Sequence, residues 1–201
     1  IVANASLAEV TDEDVACPDG KRVPYDLLVT IPPHEGSELI DDAGLGDGLG
    51  FGLTDKLTLK SKKAERVFLL GDNTNVPTSK AGSVAHFQAD VVVHNLLREM
   101  AGQAAEPLAD GHANCFIETG FGKAILVDFN YDIQPVPGKF PLPGVGPMTL
   151  LEESRLNHLG KLAFKPIYWH MLLPGRRIPL VGSQMSTRGK HMHMLAAHTH
   201  A

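Results

Sequence analysis

The chain has 201 residues, enough for one sizeable core or for pieces of two. It is 43% hydrophobic and 20% charged with a net charge of −5, which suits a globular protein and argues against nucleic acid as a partner. No apolar run approaches the roughly 18 residues of a membrane span, and no leader pattern opens the sequence. Two cysteines, Cys17 and Cys115, are too few for a secreted disulfide framework and favour a reducing compartment.

Ile1-Val2-Ala3 reads as strand interior with no turn before it, so sequence upstream is expected. Residues 2–10 and 23–31 are predicted strands, the second halted by Pro32-Pro33. The glycine run Gly44-Leu45-Gly46-Asp47-Gly48-Leu49-Gly50 has Leu49 where a dinucleotide fingerprint needs glycine, and is expected to be a flexible loop. Residues 66–70 (RVFLL) predict a short buried parallel strand ending at Gly71-Asp72. A helix follows over about 80–100, with Val84, Phe87, Val91, Leu96 and Met100 on its inner side, Gln88, Asp90 and Arg98 outside, and Gly102 as its stop. Residues 114–119 and 123–131 predict a hairpin across Gly120-Phe121-Gly122. Beyond a Pro/Gly-rich connector at 134–147, Thr149-Leu150-Leu151-Glu152 has capping-box spacing for a helix to about 164. Pro166 is placed to open a second short helix closed by Pro174.

Chemistry concentrates at Gly71-Asp72 and Thr78-Ser79-Lys80. A strand delivering Asp72 at its C-terminal end offers a carboxylate to a polyol, and Gly71 permits close backbone approach. The following helix points its positive end back at the same place, with Lys80 in its first turn. Taken alone, a capped strand-to-loop turn explains the same residues equally well.

The stretch VFLLGDNTNVPTSKAGSVAHFQADVVVHNLL resembles the second FAD-contact motif of the sulfide:quinone oxidoreductases and related two-dinucleotide-fold flavoproteins. DGHANCFIETG running into KAILVDFNY resembles that family's cysteine-bearing hairpin, and VPYDLLVTIPP the strand returning to its FAD domain. The likeness covers roughly residues 20–175. It implies an α/β, partial two-dinucleotide-binding-domain flavoprotein fold with five parts. These are the end of the second dinucleotide domain (1–33), the C-terminal part of the FAD domain (34–110), the cysteine hairpin and connector (111–147), amphipathic helices (148–180) and a flexible His-rich tail (181–201).

The resemblance implies FAD as cofactor, Gly71 and Asp72 at its ribityl chain, and Thr78, Ser79 and Lys80 near the ring and quinone. It implies Cys115 as one of a redox pair that accepts sulfide sulfur and hands electrons to FAD. If the hairpin packs beside the helix N-terminus, the positive field there favours the thiolate; the bland alternative is a small buried hydrophobe. Cys17 matches no family cysteine and reads as surface or incidental. The second thiol and the pyrophosphate cradle are expected in a missing N-terminal half or a complementary chain.

Residues 161–177 combine Phe164, Tyr168 and Trp169 with Lys161, Lys165, Arg176 and Arg177. That mixture suits a helix in a membrane interface, reaching bilayer quinone from the cytoplasmic side, or else one buried against a partner. A homo-oligomer is open. His191, His193, His198 and His200 read as a disordered end rather than a metal site. His112, three residues before Cys115, is a candidate for proton transfer or for a structural role. An NAD(P)H-dependent quinone or disulfide reductase and a non-catalytic half-fold are the alternatives.

Overall fold

The computed structural model describes residues 6–31 and 33–194. The chain divides into two units, 1–34 and 35–201. The first is a small antiparallel sheet of β1 (Glu9–Val10), β2 (Asp14–Ala16) and β3 (Arg22–Pro24) in sequence order. The long strand expected over 23–31 stops at Pro24: Leu27, Val29 and Ile31 lie exposed, and β3 pairs only with β2. Apolar alternation cannot make a strand where no neighbour supplies a ladder. Of the strand expected over 2–10, only Glu9 and Val10 pair, and residues 1–5 lie outside the described residues.

The second unit opens with the short helix α1 (Glu38–Asp42), capped by Ser37. The glycine loop after it is held firmly, contrary to the flexible loop expected. Asp47 Oδ1 accepts from the Leu49 and Phe51 amides, Gly36 N–H donates to the Leu49 carbonyl, and Gly46 bridges to Gly52. Gly36 lies so close to the Gly50 backbone that a Cβ there would sit 1.8 Å from the Gly50 oxygen. These glycines serve backbone-to-backbone packing, not a phosphate.

Residues 66–70 are not a parallel strand. Phe68 forms one antiparallel bridge with Lys60, Arg66 has φ of 60°, and Leu70 is largely exposed. A buried parallel strand needs partners on both sides, and the described residues provide none for it.

Helix α2 (Gly82–Met100) matches its predicted span, with Gly102 at φ 74° just beyond its end. Its buried stripe is Val84, Gln88, Val91 and Asn95, at helical spacing. Gln88, expected on the surface, is therefore buried, whereas Leu96 and Met100, expected in the core, are exposed. The reason is what the helix packs on. Its inner face meets loops, whose backbone groups need partners. Asn95 bonds the carbonyls of Thr58 and Glu106 and accepts from the Glu106 amide. Leu59, Val76, Val91 and Ala109 form the apolar core beside it. Leu96 and Met100 instead line a cavity of about 540 Å³ together with Lys60, Glu65 and Arg66.

A four-stranded sheet follows, in the order β4-β5-β7-β6. β4 (Ala113–Gly120) and β5 (Lys123–Phe129) are the predicted hairpin, with Cys115 opposite Val127 and Asn114 opposite Asp128. The connector contains a second hairpin that composition hid: β6 (Gly138–Leu142) and β7 (Gly146–Leu150). Leu126 and Leu150 join the hairpins in parallel. Thr149 lies in β7, so it caps nothing; Ser154 accepts the Asn157 amide and starts α3 (Arg155–Ile167). Pro166 lies inside α3 rather than opening a second helix. Its missing N–H loosens that turn, and the chain widens into a π-turn over Tyr168–Leu172.

Candidate functional site

Gly71, Asp72 and Asn73 form a single 3₁₀ turn. Gly71 has φ of 71°, and a Cβ there would come 3.3 Å from that of Ala85 on α2. The turn is pinned twice: the Gly71 amide donates to Gln88 Oε1 at 2.6 Å, and Thr74 Oγ1 donates to the Gly71 carbonyl at 2.9 Å. Asp72 is left exposed beside it. Gln88 Nε2 and Ser83 Oγ, both on α2, are buried without a partner among the described residues.

Lys80 stands two residues before α2, not in its first turn as expected. Its ammonium bonds the Thr74 carbonyl and lies 4.8 Å above the Phe51 ring. Burial pulls this ammonium below the usual lysine range, partly offset by Asp72 and Asp47. Lys80 is thus turned back over the 72–74 loop, where its charge faces Asp72.

Thr78 connects this loop to the hairpin, its Oγ1 donating to the Gly111 carbonyl at 2.9 Å. Gly111 precedes Cys115 by four residues, a stretch that spans at most about 14 Å. The structure therefore brings Thr78 and Cys115 within one short strand's length of each other. Cys115 is half-buried. Strand alternation sets its side chain on the face opposite Phe116 and Leu126. Helix α3 covers the Phe116 face, with Gly160 against Phe116 and Met148. Cys17, expected at the surface, is a buried residue of the separate 1–34 unit, its amide bonded to the Lys21 carbonyl.

Gly111 has φ of 77°, and any Cβ there would lie 2.2 Å from the Tyr131 ring. Burial, Asp110 and Asp55 push the Tyr131 hydroxyl up to about 12, so it stays protonated and donates to the Lys56 carbonyl. Gly111→Ala is expected to destabilise the protein by about 2–4 kcal/mol, from left-handed strain plus displacement of the ring. Thermal melting checks this.

His112 does not face the thiol as a proton carrier. It is buried, stacked on Phe87 at 4.3 Å, and its ring nitrogens face the Gly182 carbonyl at 3.0 Å and Asp128 Oδ1 at 2.7 Å. Sequence reasoning missed the cluster around Asp128; the only signal was an acid inside an otherwise apolar strand. Residues 181–194 also differ from the flexible tail expected. Lys190 is buried, and its ammonium lies 2.5 Å from Asp128 Oδ2. Pairing with a buried acid overrides the polar, histidine-rich composition of the segment. The His191 and His193 rings stack at 5.9 Å, and no group of three metal-ligating residues exists among the described residues. His198 and His200 lie outside them.

On α3 and the π-turn, Leu159, Leu162, Trp169 and Leu173 are each more than half exposed, and Phe164 and Tyr168 about 40% exposed. No helix among the described residues is long and apolar enough to cross a membrane.

No protein-family profile matches the chain. Sulfide:quinone oxidoreductases do. The mitochondrial enzyme of Dictyostelium discoideum is 35% identical over 158 residues, covering 78% of this chain and 33% of the relative. Those of Mus musculus (30%, covering 76% of this chain) and Schizosaccharomyces pombe (34%, covering 73%) match over 33% and 32% of their lengths. The chain is a relative of the sulfide:quinone oxidoreductases. It spans about a third of the length of these oxidoreductases, their C-terminal third. A chain in the Tetrahymena thermophila mitochondrial ATP synthase tetramer shares the fold with a TM-score of 0.57 and 27% identity, covering 85% of this chain and 40% of that one. The two sheets and three helices are those of a mixed α/β protein, as a partial flavoprotein fold of the sulfide:quinone oxidoreductase type requires.

Proposed function

We propose that the chain forms the cysteine-bearing part of an FAD-dependent oxidoreductase that takes two electrons from sulfide and delivers them to quinone. The observation that carries this reading is the bond from Thr78 Oγ1 to the Gly111 carbonyl, which ties the Gly-Asp and Thr-Ser-Lys residues to the strand bearing Cys115. The donor set suits FAD. An exposed carboxylate at Asp72, a glycine turn and two orphaned polar atoms on α2 match a polar, hydroxyl-rich ligand.

When bound, FAD would supply two-electron storage between donor and acceptor. Asp72 would accept hydrogen bonds from the ribityl hydroxyls, and Gly71 would let the chain approach without a side chain between them. Thr78 and Ser79 would border the ring, with Lys80 contributing positive charge at the same edge. Cys115 Sγ would take up the sulfide sulfur, which rises from −2 to zero by losing two electrons. The quinone gains those two electrons and two protons. A pyrophosphate cradle and a second thiol must then come from polypeptide other than residues 1–201, or from a complementary chain, within the two-dinucleotide-domain scaffold.

Quinone in a bilayer requires a membrane-facing surface. The exposed Leu159, Leu162, Trp169 and Leu173, with Lys161, Lys165, Arg176 and Arg177 nearby in sequence, support peripheral attachment to anionic lipid. The relatives' names favour a mitochondrial membrane over a site defined only as cytoplasmic. Trp169 is the chain's single tryptophan, so its fluorescence reports docking directly. Vesicles with anionic lipid should shift its emission to the blue, and Leu159→Glu with Leu173→Glu should weaken binding by about a hundredfold. Unchanged emission at low salt would remove the membrane surface from the proposal.

The redox reading is tested by titrating the purified protein, with FAD supplied, under anaerobic conditions. Flavin absorbance bleached by sulfide and restored by quinone supports it. Bleaching by NADH but not sulfide would favour the nicotinamide-dependent reductase instead.

A further inference from the structure

Asp128 is 2% exposed and sits on β5 among apolar neighbours. Its Oδ1 accepts from Asn114 Nδ2 at 3.1 Å and faces His112 Nε2; its Oδ2 pairs with Lys190, which also reaches the Asp128 carbonyl at 3.3 Å. Lysine is almost never buried unless it is paired. An unheld tail would leave this ammonium in water. The surrounding segment is bound at further points. Met185 N–H donates to Asp110 Oδ2 at 2.8 Å, Gln184 Nε2 to the Leu108 carbonyl at 3.0 Å, and His191 N–H to the Pro137 carbonyl at 2.9 Å.

One carboxylate thus gathers three stretches of chain. Through Asn114 it holds β4 at the residue just before Cys115. Through His112 it holds the residue just after Gly111, whose carbonyl receives Thr78. Through Lys190 it holds the C-terminal segment. We propose that Asp128 is a positioning residue for Cys115, and that residues 182–190 form a clasp which it closes, setting the separation between the thiol and the Thr78–Lys80 segment. The proposal rests on Cys115 being the reacting thiol. Asp128 itself lies on the other face of the sheet and touches no reacting atom.

The test uses the intact chain with amide hydrogen exchange and the rate of Cys115 alkylation by iodoacetamide. Neither readout needs FAD or sulfide, so a failed sulfide assay and a failed clasp are distinguishable. In the native protein the Met185 and His191 amides should exchange about a hundredfold more slowly than in unstructured chain. Lys190→Met should speed exchange across 182–191 about tenfold and raise Cys115 alkylation about threefold, while Lys190→Arg restores both. Native amides exchanging at the unstructured rate, a loosened clasp with unchanged alkylation, or a folded arginine variant that restores neither would each overturn the proposal. Should Lys190→Met not fold, Asn114→Ala decides: it cuts only the link to β4, and an unchanged alkylation rate would sink the positioning role.

Discussion

Cys115→Ser is expected to abolish sulfide-dependent flavin reduction, with a loss on the order of a thousandfold or more in the two-electron step. The hydroxyl that replaces the thiol is a far weaker nucleophile near neutral pH and forms no stable bond to zero-valent sulfur. The substitution is nearly isosteric at a half-buried position, so melting temperature and FAD affinity should stay close to native. Cys17→Ser serves as the control: Cys17 belongs to the other unit and should leave the rate unchanged. Anaerobic stopped-flow absorbance reads both variants. A Cys115→Ser protein reduced by sulfide at the native rate would remove the cysteine from the proposed electron path, whatever the flavin does.

Asp128→Asn is expected to carry the largest cost in stability. The Lys190 side chain is 1% exposed and would keep its charge facing a neutral amide. Breaking one partner of a buried ion pair typically costs about 3–5 kcal/mol, which lowers Tm by on the order of 10 °C for a domain of this size. The double variant Asp128→Asn with Lys190→Met should recover part of the loss, since an uncharged pair leaves no buried ion behind. The pH dependence has a definite sign. Burial alone would raise the Asp128 carboxyl, but the hydrogen bonds and charges of His112 and Lys190 outweigh it and hold the group below the usual carboxylate range. A depressed carboxyl stabilises the fold above its unfolded pKa of about 4, and that contribution is lost as pH falls through the folded value. Native Tm should therefore be insensitive to Asp128 above about pH 4 and drop below it, a slope that Asp128→Asn removes.

The hairpin and α2 were readable because their signals are local. KAILVDF alternates at period two beside a Gly-Phe-Gly turn, and α2 carries a helical stripe ended by Gly102. The β6–β7 hairpin was hidden because prolines and glycines dominate it, a composition that reads as loop. Capping misled at Thr149 because an acid three residues on is a weak signal inside a strand that a partner has already claimed. Residues 66–70 failed in the opposite direction: they have strand composition, yet only one bridge to pair with.

The candidate site was legible as residue types in order: Gly71, Asp72, Thr78, Ser79, Lys80 and then Cys115. Their convergence was not, because it depends on one side chain, Thr78, meeting a carbonyl 33 positions away. The amphipathic stretch at 161–177 was legible too, since charge and aromatic content are local; only folding shows which of its side chains remain uncovered.

What the sequence determined by itself was therefore the set of short-range elements and the kinship with sulfide:quinone oxidoreductases, both written in neighbouring residues. Only the tertiary structure decided that Gln88 and Asn95 turn inward, and that Lys190 abandons solvent for Asp128. The physical reason is common to both. A polar group leaves water only when a partner meets it, and here those partners lie 11 to 62 positions away, beyond what any local pattern can encode.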